Sequence, residues 1–354
     1  MSFCLYNQIM TNNTLTALKG VKVGHATHLD KLTGCTAIIF DKSYPAAYQG
    51  YGGDIGSFHT DSLRVGERRT RQGFFIAGGS LNGLMSASEI MQAMIENGTG
   101  NKAAAIINPN ISGAIVFDQG TKLGQYDPTY GREAYDNLST DPVASGNVGA
   151  GAGVAVGKFQ WLEKGTKSGG MKTGVGNARV DLGNGIIVCA LTVLNALGNV
   201  VNPDGTILAG NRDENKKFKD FDDTIDFITG DPANTTITVV GTNVDLGPRE
   251  NYERLAHFAT QGHVRAIYPI HTSRDGDTVF VFSTEEIKQP FNKYGKLFQE
   301  DHNPSGLTVD VIGHAAAKAV QESIYDACKS AETVEVEGAY KGVLPSAKDY
   351  GEKR

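Results

Sequence analysis

Asn234-Thr235-Thr236-Ile237-Thr238-Val239-Val240 marks the sharpest change of character in the chain. Before it, Asn211 to Asp223 is dense in Lys, Asp and Asn and reads as an exposed loop. At Thr235 a β-branched run begins, and β-branched side chains suit the half-buried surface of a pleated strand. By itself, Thr235 is a strand-opening threonine. Asn234-Thr235-Thr236 also matches the glycosylation triplet, a reading that needs a secretory leader. Met1 to Met10 has neither a basic start nor a sustained apolar core, so none is expected.

Working outward, short apolar segments alternate irregularly with helical ones. Strands are predicted at Val21–Val23, at Thr36–Phe40 after the turn residues Thr33-Gly34, and at Phe74–Ala77. The last runs through Gly78-Gly79 into a helix from Leu81 to Ile95, with Leu84, Ala87, Ser88, Met91 and Ile95 on one face. Ala103–Ile107 and Ala114–Phe117 read as further strands. Gly149–Gly157 and Ile186–Leu194 read as buried ones. Arg249–Gln261 and Thr308–Cys328 are the strongest later helices. In the second, Val311, Ile312, Ala315, Ala319 and Ile324 form an apolar stripe. The last twenty or so residues read as a polar surface tail. No repeat appears, and the pattern predicts an α/β (α+β) fold of face-to-face sheets with helices outside.

Composition narrows the function. The net charge of −6 and isoelectric point near 5.8 argue against phosphate-backbone binding, which needs a basic face. No run approaches the ~18 apolar residues of a membrane helix. Cys4, Cys35, Cys189 and Cys328 are scattered without a CxxC pair, which predicts a reduced, cytoplasmic setting. The 44 glycines are about twice the usual share, implying tight turns and close backbone approaches.

Several tempting motifs fail. Gly151 to Phe159 suggests a phosphate loop, but Ala152 stands where the first glycine belongs and Phe159 follows the lysine. The same glycines miss dinucleotide spacing. His25 and His28 with Asp30 lack a second cluster to complete a metal shell. Asp275-Gly276-Asp277 lacks the rest of a calcium loop and reads as a hairpin turn. There is no G-x-S-x-G elbow. No metal and no cofactor are expected.

Four separated segments together carry a resemblance. They are Val21-Lys22-Val23-Gly24-His25-Ala26-Thr27 with Thr33-Gly34, and Ile76-Ala77-Gly78-Gly79-Ser80-Leu81-Asn82-Gly83-Leu84. The third is Asn234-Thr235-Thr236-Ile237 with Thr242-Asn243-Val244, and the fourth runs from His271 through Asp275-Gly276-Asp277 to Phe280. In this order, over about residues 20 to 330, they resemble the self-processing amide hydrolases that include DmpA-type aminopeptidases and nylon-oligomer hydrolases. An Asn-Thr junction is similar to the nylon-oligomer branch, whereas the aminopeptidase branch typically has Gly-Ser. The resemblance implies a four-layer αββα sandwich of the N-terminal-nucleophile-hydrolase type, formed by residues 1–354 as one domain. It implies a cut between Asn234 and Thr235, giving fragments 1–234 and 235–354. It implies Thr235 as nucleophile, catalytic roles for Lys158, Asn195, Asp275 and Asp277, and a substrate site near Phe117, Gly79 and Asn82. It further implies a homo-oligomer, a dimer of dimers. Two departures stand out. Phe117 precedes Asp118 where the nylon-oligomer enzyme has a tyrosine, so a hydroxyl that would bond the substrate amide is missing. The stretch from Gly165 to Lys172 is also longer here.

These residue types suit the chemistry. A threonine hydroxyl needs a base, and a newly freed α-amino group ordinarily titrates at about 7.7–8.0, close to working pH. It would take the hydroxyl proton and return it to the leaving amine. A nearby Lys158 favours the neutral amine by like-charge repulsion. Asn195 would donate to the developing oxyanion; on sequence alone it is a turn asparagine before Gly198. Asp275 and Asp277 would orient Thr235 and its partner. The expected substrates are small or oligomeric amides of ω-amino acids, with no nucleic-acid or membrane partner. The alternatives are an aminopeptidase for short peptides and a non-catalytic binding protein that keeps the fold.

Overall fold

The computed structural model describes residues 12–65, 70–118, 125–163, 167–223, 234–288, 306–337 and 341–351. Cys4 and Gly165 lie outside them. The main elements in chain order are β1 (Val21–His28), β2 (Thr33–Gly50), β3 (Thr70–Ala77), α1 (Ser86–Glu96), β4 (Ile111–Ile115) and α2 (Tyr130–Asp136). Then come β5 (Val175–Asp181), β6 (Ile187–Asn195), β7 (Thr235–Asp245), α3 (Arg249–Ala266), β8 (Thr278–Lys288) and α4 (Gly306–Lys329).

The strands join in the order β5-β6-β7-β8-β2-β3-β4, with β1 added on β2 and the short Ser57–Phe58 on β4. The pairs β7–β8 and β3–β4 are parallel, and the others antiparallel. The 18-residue β2 belongs to both halves. Its Cys35–Ile39 part pairs with β3, while Ala46–Gly50 pairs with β8 after a register shift. The path therefore folds into two sheets lying face to face.

Side-chain alternation shows the layers. Cys189, Leu191 and Val193 of β6, Ile237 and Val239 of β7, and Phe280 and Phe282 of β8 meet Ile38, Phe40, Phe74 and Ile76 from the other half. Phe40 and Phe282 pack at 4.4 Å between ring centres. The intervening residues point outward: Val188, Ala190, Val279 and Val281 onto α3 and α4, and Ala37, Ile39, Phe75 and Ala77 onto α1 and α2. Strands covered on both faces read as continuous apolar runs rather than alternating ones, which is why Ile186–Leu194 is apolar but for Thr192, whose hydroxyl meets those of Thr238 and Ser323. The result is the expected αββα sandwich. No helix among the described residues is long and apolar enough to cross a membrane.

Local expectations needed correction. The turn into β2 is at residues 29–32, with Thr33 and Gly34 already in the strand. The helix predicted from Leu81 is a 3-10 turn (Ser80–Met85) followed by α1, whose buried face is Ala87, Ile90, Ala93 and Met94, with Ser88 and Ile95 exposed. Ala103–Ile107 is not one strand but the turn and flanking strand residues of an exposed hairpin, Asn101–Ala103 against Ile106–Asn108, turning at Ala104 with φ +53°. Gly149–Gly157 is buried, yet forms a 3-10 turn and only a two-residue strand at Ala155–Val156. Asn211 and Arg212 are buried, so the polar loop is pinned at its start. The tail is held too: Leu344 and Ser346 are buried, and Ala347–Gly351 is helical. The predicted hairpin at Asp275-Gly276-Asp277 is instead the lead-in to β8, which runs parallel to β7.

Burial makes the fold pH-sensitive at His25 and His263, both of whose imidazoles it pushes down to about 4. His263 of α3 is fully buried, its Nε2 is 2.8 Å from Thr238 Oγ1, and burial pushes its imidazole down to about 4. Between pH 6.5 and 4 the unfolded chain binds a proton that the folded one refuses. Stability present above 6.5 is therefore lost as pH falls toward 4, by an amount on the order of 3 kcal/mol. Tm should drop more between pH 6.5 and 4.5 in the wild type than in His263→Gln. Equal drops would show that His263 is not the cause.

Candidate active site

The sheet path brings four strand ends to one place. β6 ends where β7 begins, so Asn195 stands opposite Thr235 in register. Because β7 and β8 are parallel, the residues just before β8, Asp275 to Asp277, lie at the same end. β2 also ends there, with Gly50 opposite Thr278. Tyr51 to Asp54 continue from it and bond Thr272 to Asp277: Tyr51 N to Asp277 O, Gly53 N to Thr272 O, and Asp54 N to Asp275 O.

Thr235 is 4% exposed and Asn234 1% exposed. Asn234 bridges to Asp275, its N–H donating to Arg274 O at 3.0 Å. Its carbonyl oxygen accepts two bonds, from Gly276 N at 2.7 Å and from the Thr235 hydroxyl at 2.5 Å. The junction is thus buried and gripped, which rules against its use as a glycosylation site on the folded chain.

Lys158 and Asn195 are brought together. Lys158 is 2% exposed and its Nζ donates to Asn195 Oδ1 at 2.8 Å. The backbone at Gly157 and Lys158 donates to Gly198 O and Leu197 O, tying this segment to the loop after β6. Asn195 Oδ1 also accepts from Ala155 N, and its Nδ2 donates to Phe117 O at 3.0 Å. Phe117 therefore meets the cluster through its backbone carbonyl.

The two aspartates hold neighbours of Thr235 rather than its hydroxyl. Asp277 is fully buried; its Oδ1 accepts from Thr236 N at 2.6 Å, and its Oδ2 from His271 Nδ1 at 2.9 Å and His271 N at 3.1 Å. Asp275 Oδ2 accepts from Thr272 N and Oγ1. Burial, reinforced by the Asp277 charge, raises the Asp275 carboxyl above the ordinary carboxylate range.

The expected substrate residues separate. Gly79 adopts φ +76°, and a Cβ there would lie 2.4 Å from the Tyr126 ring. Its N–H donates to Asp118 Oδ1 at 2.7 Å, so it is one residue removed from Phe117 through Asp118. Asn82 is exposed in the following 3-10 turn.

Sequence reasoning missed four things. The Gly276 N–H carried no side-chain signal. His271 lay inside a quoted segment but had no role until its ring met Asp277. Asp118, 3% exposed, accepts from Thr33 and Gly79 and is pushed up to about 6 by burial. Lys172, fully buried, donates to Gly151 O and Thr173 O and is pushed down to about 7 by burial, against the pull of Asp118. A lone lysine or aspartate in a glycine-rich stretch announces no such burial.

An uncharacterized aminopeptidase of Mycobacterium leprae is 30% identical over 361 residues, covering 95% of both chains. A 6-aminohexanoate-oligomer endohydrolase of Paenarthrobacter ureafaciens is 29% identical over 284 residues, 77% of this chain and 75% of its own. Among solved structures, the L-aminopeptidase D-Ala-esterase/amidase of Ochrobactrum anthropi superposes with a TM-score of 0.69 at 19% identity. It covers 96% of this chain and 92% of that one, and is described as a variant of the Ntn hydrolase fold. A β-aminopeptidase of Burkholderia sp. gives 0.67 at 20% identity, over 97% and 94%. The family model for peptidase family S58 matches residues 13–341, and with that match, nearly the whole folded chain, the protein belongs to peptidase family S58, hydrolases of amide bonds.

Proposed function

We propose that this hydrolase cuts its own Asn234–Thr235 bond and then uses the freed Thr235 as the nucleophile for linear amides. The supporting observation is the Asn234 carbonyl, whose oxygen is met at once by the Thr235 hydroxyl and the Gly276 N–H. In the first reaction Thr235 Oγ attacks the Asn234 carbonyl carbon. The C–N bond to Thr235 breaks, its nitrogen takes up the hydroxyl proton and leaves as an amine, and an Asn234 ester on Oγ remains. Water then releases the Asn234 carboxylate and restores the hydroxyl. Gly276 N–H, already 2.7 Å from the carbonyl oxygen, stabilises the negative charge that develops there.

In the second reaction the new α-amine accepts the hydroxyl proton as Oγ attacks the substrate amide, and passes it to the leaving amine. Water resolves the ester. The Lys158 ammonium, held on Asn195 beside Thr235, favours the neutral amine. The Asn-Thr junction and the endohydrolase relative support oligomers of ω-amino acids as the substrate class. A second reading, aminopeptidase action on short peptides, is supported by the mycobacterial relative, which matches more of the chain. A blocked substrate amino terminus should abolish only the second activity.

Intact-mass measurement of the purified protein tests the cut. Two fragments of 234 and 354 − 234 = 120 residues are expected, the smaller beginning Thr-Thr-Ile-Thr. An unbroken chain would end the reading and favour a non-catalytic protein.

A further inference from the structure

We propose that His271 is a positioning residue, which fixes Asp277 so that the carboxylate clamps the Thr236 peptide and keeps Thr235 in register for the cut and afterwards. The inference rests on the self-cleavage reading. Once the Asn234–Thr235 bond is gone, Thr235 is a chain end, and chain ends fray unless tied down. The first peptide N–H of the new chain is that of Thr236, and its acceptor is Asp277 Oδ1 at 2.6 Å.

Asp277 is fully buried, so its charge depends on donors in place of water. His271 supplies two, its backbone N and its ring Nδ1, both to Oδ2. A carboxylate held from one side by two donors presents its other oxygen in one direction, toward Thr236. To bring both groups to the same oxygen, His271 adopts φ +61°, a left-handed conformation uncommon outside glycine, though histidine, asparagine and aspartate adopt it more often than other residues.

The ring is itself held. Nε2 lies 3.3 Å from Thr260 Oγ1 on α3. Tyr51 stacks on its face at 5.0 Å between ring centres, and the Tyr51 hydroxyl lies 2.5 Å from His257 Nδ1, also on α3. The loop from β2 and helix α3 thereby converge on one imidazole, whose nitrogens meet Thr260 and Asp277.

His271→Gly removes the ring without straining the backbone, since glycine accepts φ +61° freely. His271→Asn keeps an N–H near the Nδ1 position and tolerates the same conformation. Splitting of the full chain is followed by pulse–chase in cell-free translation, with Tm of each protein by circular dichroism. His271→Gly should split about tenfold more slowly or worse, and His271→Asn should recover most of that rate. Equal splitting by His271→Gly and wild type overturns the clamp, as does His271→Asn splitting as slowly as His271→Gly. A Tm for His271→Gly more than about 10 °C below the other two would assign the slow splitting to the fold, and overturns it too. A wild-type chain that never splits removes the self-cleavage reading beneath it, a different outcome from either.

Discussion

Thr235→Ala should remain a single chain of 354 residues and hydrolyse no amide. The substitution removes the Oγ that attacks in both proposed reactions, and without the cut no α-amine forms to act as base. Loss of a nucleophile and its base together is worth on the order of 10⁶ in rate, so residual turnover should fall below detection. The fold should survive. The Asn234 carbonyl loses the hydroxyl but keeps the Gly276 N–H, and the β7 backbone pairing with β6 does not involve the side chain. Thr235→Ser should still split, within about tenfold of wild type, because it retains the hydroxyl and loses only the β-branching that restricts χ1. Mass spectrometry of the three proteins, with Tm alongside, decides it. A Thr235→Ala chain that splits at the same bond would show that another group cuts there.

The architecture was legible where burial on two faces leaves a compositional trace. Ile186–Leu194 and Thr235–Val240 are continuous apolar or β-branched runs because each has helices on one side and a second sheet on the other. The helices α3 and α4 were legible through their period. Glycine-rich stretches were not, because small residues fit a strand and a close-packed turn alike. At Gly149–Gly151 the chain takes a 3-10 turn, and a Cβ on Gly151 would meet Val175 N at 2.4 Å. That constraint is tertiary and leaves no periodicity. The Ala104 turn failed for a related reason: an exposed apolar hairpin contradicts the rule that apolar runs are buried.

Of the candidate site, the residues that recur in a family segment were legible only through that resemblance. Lys158 and Asn195 sit 37 residues apart, and nothing local says that one donates to the other. The pairing follows from Asn195 ending β6 and from the Gly157–Lys158 backbone bonding to the residues just past it. The roles within the Asp275-Gly276-Asp277 triplet were legible even less. Two carboxylates drew attention as orienters of Thr235 and its partner, whereas their oxygens accept from Thr272, Thr236 and His271. The atom of the triplet that touches the Asn234 carbonyl is a backbone N–H, which every residue but proline possesses and no pattern can single out.

That position makes Gly276→Ala the most informative single methyl group in the molecule. A Cβ on Gly276 would stand 2.8 Å from Thr235 Oγ1, 3.4 Å from Thr235 Cγ2 and 2.6 Å from the carbonyl oxygen of Asp54. The hydroxyl can rotate away, which removes it from the Asn234 carbonyl. Alternatively the triplet can retreat, which stretches the 2.7 Å bond from Gly276 N. Retreat is opposed on the far side, since the Asp275 carbonyl already lies where a Cβ on Gly52 would be 1.7 Å away. The chain is thus boxed between Tyr51–Asp54 and Thr235, and every relaxation displaces one partner of the proposed attack. Misplacement by about 1 Å costs about 10²-fold in rate, so splitting should slow by that order, while overpacking costs about 1–3 kcal/mol in stability. The two effects are separable: pulse–chase reads the first and denaturant unfolding the second. A Gly276→Ala chain that is destabilised yet splits at the wild-type rate would place the carbonyl's stabilisation elsewhere. One that splits slowly at nearly unchanged stability would tie the cut to the geometry around Asn234.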